Sequence, residues 1–268
     1  MTQLFDLKAT HNPHRYYLPV TMDLCAGIPE RRFLFGGVGL AAAISAMERA
    51  CGRPVIWATA HYLAFALPGT VVDLDVWVPV EGNKISQANV VEHIDDQKII
   101  TVHAALGDRG DDYADQWLSR PDVPDPQDCP RVHNPRAGAD AIQGRFETRL
   151  AGGRYPGSGI DGRGDGRMRV WIRSTEGLMA DRLLLAVMAD YVSEGIGHAL
   201  GAPAGGNSLD NTIRYGRVQP VEWVLCDIRI ESVQGGIVHG TMRLFSPDGT
   251  LMASASQSLI LRRRDVQA

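Results

Sequence analysis

At 268 residues the chain can bury a sizeable core, as one large domain or as two medium ones. Hydrophobic residues at 44% and charged residues at 22% match an ordinary globular protein, and a net charge of -4 offers no basic surface to nucleic acid or an anionic membrane. No apolar run reaches the ~20 residues of a spanning helix, and the opening MTQLFDLKATHNPHRYYL has no basic stretch leading into an apolar one, so neither a membrane segment nor a signal peptide is expected. The cysteines Cys25, Cys51, Cys129 and Cys226 are far apart and lack CxxC spacing. Reduced thiols, no metal site and a cytoplasmic location are the expectation.

Phe33 to Ala50 (FLFGGVGLAAAISAMERA) reads as a helix that is apolar on nearly every side, hence buried, and is stopped by Gly52 and Pro54. Strand-like runs follow at Val55–Ala66, Val71–Val80, Ile85–His93 and Ile99–Leu106, separated by turn sequences such as Pro68-Gly69 and Asp95-Asp96. One helix followed by a four-strand meander is the outline of a hotdog unit. Residues 107–166 lose this periodicity and read as a connector, with one strand at Gly144–Leu150. The outline then repeats: a strand at Met168–Arg173, a helix over Gly177–Leu200, and strands at Leu209–Val218, Glu222–Ile230, Ile237–Phe245 and Leu251–Arg262. The expected fold is α+β, a double hotdog: two long helices, each wrapped by an antiparallel sheet, the two sheets fused into one. Residues 1–107 form the first unit, 108–165 the connector and 166–268 the second. Two separate mixed domains are the alternative architecture.

Gly37-Val38-Gly39-Leu40-Ala41-Ala42 matches G-x-G-x-x-A at a helix start. A dinucleotide fold also needs a buried strand before it and an acidic residue after the next strand. PERRFLF and VIWATAHYLAFALP supply neither. There is no G-x-S-x-G, no G-x-x-x-x-G-K-[ST] and no H-E-x-x-H.

Four stretches, Leu34-Phe35-Gly36-Gly37, Ser208 through Ile213, Trp223 through Asp227 and Asp248 through Gln257, together resemble the thioesterase II (TesB-like) family of acyl-CoA thioesterases. Leu34-Phe35-Gly36-Gly37 resembles the opening of that family's first helix. Ser208-Leu209-Asp210-Asn211-Thr212-Ile213 is similar to its LDH-[ST]-[IM] strand, Trp223-Val224-Leu225-Cys226-Asp227 to its WLLYD, and Asp248 through Gln257 to its last strand. Met168–Arg173 sits where the family has a Trp-Ile-Arg strand. The resemblance implies a double hotdog that hydrolyses acyl-CoA, with Asp210 and Gln257 catalytic. The family's third polar residue falls near Glu231 or Ser232, and Ser232 is preferred. The chain departs from the pattern at Val38, where the family commonly has Gln, at Asn211 in place of His, and at Ser258-Leu259 in place of Glu-Gly.

Thioester hydrolysis needs a polarised carbonyl, a placed water and a base. A thiol of pKa about 8.5 leaves as thiolate without a strong acid, so a modest site is sufficient. Backbone N–H groups of Gly37 and Val38 at the first helix start are candidates to hold the oxyanion, and those of the second helix start near Leu178 are an equal alternative. Asp210 would act as base, Gln257 would orient the water, and Ser232 would add a hydroxyl. His61 lies at a strand position roughly matching Asp210 in the other half and is a candidate substrate contact, or a core histidine. No cofactor is expected. The expected partners are acyl-CoA and a second copy of the chain, with neither nucleic acid nor membrane. Two other readings are an acyl-CoA-binding protein that has lost turnover, and an enoyl-CoA hydratase of the same build; the absence of a histidine close after Asp210 weighs against the hydratase.

Overall fold

The computed structural model describes residues 3–132, 140–154 and 162–263. Strands β1 (Lys8–Ala9) and β2 (Arg15–Pro19) precede a hairpin of β3 (Cys25–Ile28) and β4 (Arg31–Leu34), and helix α1 spans Gly36–Cys51. Then come β5 (Val55–Tyr62), β6 (Val71–Glu81), β7 (Ile85–Ile94) and β8 (Gln97–Gly107). Within the connector lies β9 (Phe146–Gly152), and beyond it come β10 (Arg167–Ser174) and helices α2 (Arg182–Met188) and α3 (Gly195–Leu200). A 3-10 stretch, Ala189–Glu194, joins these two helices. The chain closes with β11 (Ala204–Tyr215), β12 (Val224–Gln234), β13 (Ile237–Phe245) and β14 (Leu251–Arg263).

Twelve strands form one antiparallel sheet in the order β1-β2-β6-β7-β8-β5-β11-β14-β13-β12-β10-β9. The order from β2 to β5 repeats in reverse from β11 to β10, and the halves meet where β5 pairs with β11, Thr59 opposite Thr212. The double hotdog expected from sequence is the fold observed. Joining the two meanders here removes one exposed strand edge from each.

Alanine explains how α1 sits so close to its sheet. Ala41, Ala42, Ala43 and Ala46 are fully buried, so the helix can approach the strands without long side chains intervening. Gly52, in the left-handed region at φ 63°, ends the helix with its N–H on the Glu48 carbonyl. The second helix begins later than Gly177 because Asp181 caps it, accepting from the Leu184 N–H at 2.7 Å. Arg182–Leu200 is one helical stretch apolar enough by composition to cross a membrane, yet it is mostly buried in the core. On the far face of the second half, Trp171, Leu225, Phe245 and Cys129 form a separate cluster under the connector, and Trp171 donates its indole N–H to the Pro124 carbonyl at 2.9 Å.

Candidate active site

The two central helices meet at the start of α1. A Cβ on Gly37 would lie 2.7 Å from the Val187 carbonyl oxygen and 3.0 Å from Asp190 Cβ, so only glycine lets α1 abut α2 here. The Gly37 N–H then donates to Asp190 Oδ2 at 2.8 Å. Asp190 stands in the 3-10 stretch between α2 and α3 and is 5% exposed. Its other oxygen accepts from the Gln257 amide and from the Ser208 hydroxyl at a long 3.5 Å, while Gln257 Nε2 also donates to Ser208 at 2.8 Å. Burial pushes the Asp190 carboxyl up to about 6, against the pull of Gln257, the Gly37 N–H, Ser208 and Asn211 on the ionised form. A buried carboxylate held at the positive end of a helix, with a pKa near neutrality, is the environment expected of a general base.

Asp190 and Ser208 line a cavity of about 430 Å³. Phe33, Phe35, Tyr62, Phe65 and Ile100 give it an apolar wall, while Gly36, Gln143, Ser193 and Glu194 add polar groups. Phe65 is more than half exposed while lining the cavity, which places it at the mouth. Both halves contribute. Such a space, apolar with a few convergent polar groups, suits an acyl chain ending in a polar carbonyl group.

Of the residues singled out in the sequence, Gln257 is in this cluster beside Asp190 and Ser208, 2% exposed and not itself lining the cavity, with its Oε1 buried and without a partner among the described residues. Asp210 is not. A β-bulge between Ser208 and Asp210 turns Ser208 and Asn211 to the helix side and Asp210 to the opposite face. There Asp210 faces His61 and Ser258 across the strands, and its Oδ1 accepts the Ser258 N–H at 2.8 Å. Strict period-2 alternation puts Ser208 and Asp210 on one face, which is why the bulge escapes a reading of sequence alone. Ser232 is exposed and lies opposite His239 on the same outer row, at a second bulge between Ile230 and Ser232.

His61 is also exposed and does not line the cavity. It faces Asp210 across the junction of the halves. Counted from the Thr59–Thr212 pair, its counterpart in the second half is Arg214. The N–H groups of Gly37 and Val38, expected to hold an oxyanion, already donate to Asp190 and to the Phe35 carbonyl, the latter at 2.9 Å. The Gly36 N–H borders the cavity and makes no hydrogen bond among the described residues.

Asp190 escaped the sequence reading because AVMADYVSEG reads as one more turn of a buried apolar helix. The available signal was an aspartate inside that otherwise apolar stretch, since carboxylates are rarely buried without partners. The same count along the strands matches Asn211 to Ala58 and Gln257 to Ala104. Only one of the two related places therefore carries these amides.

Among curated proteins, none matches the chain by sequence. A family model described as the acyl-CoA thioesterase C-terminal domain matches residues 126–261. A protein assigned as a thioesterase from Novosphingobium aromaticivorans is 33% identical, with 96% of this chain and 98% of that one covered and a TM-score of 0.86. A hot dog fold protein from Alicyclobacillus acidocaldarius is 19% identical over 97% of each chain, with a TM-score of 0.84. The acyl-CoA thioesterase II TesB2 from Mycobacterium marinum is 20% identical, again over 97% of each chain, with a TM-score of 0.74. With a double hotdog throughout and the family model spanning half its length, the chain belongs to the acyl-CoA thioesterases and is a thioester hydrolase.

Proposed function

We propose that the protein hydrolyses acyl-CoA at the cavity between its halves, with Asp190 as the base and Gln257 as the residue that positions both Asp190 and the attacking water. The observation that carries this reading is the buried carboxylate on the cavity wall, held by Gln257, Ser208 and the Gly37 N–H. Water loses a proton to Asp190 as its oxygen bonds to the thioester carbon. The tetrahedral intermediate then expels CoA as thiolate, and the proton on Asp190 returns to the sulfur or to solvent. Gln257 holds Asp190 through Nε2 and has Oε1 left to accept from the water. The thiolate needs no strong acid, in keeping with the lack of histidine among the cavity-lining residues. That lack also weighs against the hydratase reading.

The resemblance to thioesterase II points instead to Asp210 as the base, and a pair of variants separates the two. Purified protein is incubated with acyl-CoAs of short to long chain while thiol release is followed, beside Asp190→Asn and Asp210→Asn. Loss of release by at least about a hundredfold in Asp190→Asn alone supports the reading. Collapse in Asp210→Asn with Asp190→Asn active transfers the role to Asp210. Binding of every acyl-CoA without thiol release points to a carrier that has lost turnover.

A further inference from the structure

Tyr62 has a counterpart in the second half, and the two hydroxyls are used differently. Each tyrosine stands three residues beyond the Thr59–Thr212 pair at the end of its strand, and each hydroxyl is buried beside the start of its own half's central helix. Tyr215 donates to the carbonyl of Arg182, the first residue of α2, at 2.8 Å. In the first half the corresponding helix start is Gly36, and a Cβ there would lie 3.0 Å from Tyr62 Cζ, the carbon that carries the hydroxyl. Yet Tyr62 Oη is buried without a hydrogen bond of ordinary geometry among the described residues, beside Asn211, whose amide is likewise unsatisfied. A buried hydroxyl left unsatisfied costs about 1–3 kcal/mol, and its twin shows that this fold can satisfy it.

The same point beside Gly36 lies 2.9 Å from Asp190 Oδ2. Tyr62, Gly36 and Asp190 therefore converge on one wall of the cavity, all three lining it. Gly36 supplies an N–H at the positive end of α1, and the absence of a side chain there keeps the corner open.

We infer that Tyr62 is a further catalytic residue, its hydroxyl donating, together with the Gly36 N–H, to the thioester carbonyl oxygen as it takes on negative charge. The unused hydroxyl is the donor the reaction requires, beside the base and on the same wall. It remains protonated throughout, because burial, and then the nearby Asp190 carboxylate, hold the phenol well above its ordinary value against a smaller pull from Asn211. This inference rests on hydrolysis at this cavity with Asp190 as base.

Tyr62→Phe removes the hydroxyl and leaves the ring. The expected result is a fall in kcat of about a hundredfold or more with KM changed only a few-fold. Tm should change little, since Asn211 is the one side chain whose contact with the hydroxyl would be lost. A second measurement uses two non-hydrolysable CoA ligands, a ketone that keeps the carbonyl and a thioether that lacks it. Tyr62→Phe should weaken the ketone by about two- to tenfold and leave the thioether unchanged. If the wild type hydrolyses, Asp190→Asn is inactive and Tyr62→Phe keeps its kcat, the donor role is overturned while the site stands. Equal weakening of both ligands also overturns it, reducing Tyr62 to a packing residue. If the wild type hydrolyses no acyl-CoA, both readings fall together.

Discussion

Gln257→Leu is the sharpest probe of Asp190. In the folded protein burial raises this carboxyl to about 6, and the Gln257 amide is the foremost group pulling it back down. A hydrogen bond to a charged group contributes about 1.5–3 kcal/mol, and 1.36 kcal/mol equals one pKa unit. Losing the amide should therefore move the carboxyl from about 6 to between about 7 and 8. If Asp190 must be ionised to act, wild-type kcat/KM should rise tenfold per pH unit below about 6 and level off above it. In the variant the rising limb moves one to two units toward alkali, by the same arithmetic. The plateau also falls, because the water loses its acceptor, but height and position are read separately from the same curve. The assay is kcat/KM against pH, followed by loss of the thioester absorbance, since dyes for free thiol are themselves pH-sensitive. A limb that stays in place in Gln257→Leu, or a wild-type profile flat through pH 6, refutes the assignment of Asp190.

Other expectations concern stability as well as rate. Asp210→Ala should keep most hydrolysis and lower stability by about 1 kcal/mol, because the side chain holds the bulge by accepting the Ser258 N–H; urea unfolding measures this. Glu92 is 0% exposed with neither oxygen paired among the described residues, and the count along the strands matches it to Leu244. Glu92→Leu should stabilise the protein by about 1–3 kcal/mol at neutral pH, and a loss of stability would show that the carboxyl is satisfied in solution. Gly37→Ala should cost about 1–3 kcal/mol and most of the activity, since its Cβ drives α1 away from α2 and from Asp190. The raised carboxyl of Asp190 binds a proton more tightly in the folded state than in the unfolded. Its stabilising contribution is thus complete below pH 3.8 and lost as pH climbs through about 6, a span of about 3 kcal/mol that should vanish from the Asp190→Asn stability profile.

The meanders were legible because strand periodicity and turn residues act locally. Their pattern gives Ile237–Phe245 to the residue and most other strand ends to within a few. The short strands β2 to β4 were not legible, since four or five residues such as RRFL carry no periodicity and are held by pairing across the chain. Strand Gly144–Leu150 was displaced to Phe146–Gly152 because Ile142–Arg145 forms a 3-10 turn ahead of it. At the site, Gln257 follows from the family resemblance alone, since strand alternation by itself leaves its face open. Asp210 and Ser232, also taken from the resemblance, sit at bulges, where one extra residue reverses the face a strand presents and no local pattern shows it. Asp190 depends on contact between helices from different halves, a relation that no local pattern encodes.

That contact also gives a reason for a fused pair. Two related units joined by a near-twofold present two helix starts, each beside the other unit's helix and each with a tyrosine at the same strand position. At the start of α2 the tyrosine is satisfied by the Arg182 carbonyl, and the positions matching Asn211 and Gln257 are Ala58 and Ala104. That end is packed for stability. At the start of α1 there are instead a buried carboxylate, two amides and an unsatisfied hydroxyl, each a burden on folding. Separate identical units would have to carry that burden at both ends, whereas fusion confines it to one. Introducing the amides at the other end should then destabilise the fold without adding turnover, because the carboxylates near that helix start are already engaged, Glu48 by the Val55 N–H and Asp181 by the Leu184 N–H. If Ala58→Asn with Ala104→Gln raised kcat rather than lowering Tm, the second end would already hold a base, and the asymmetry argued from these residues would be wrong.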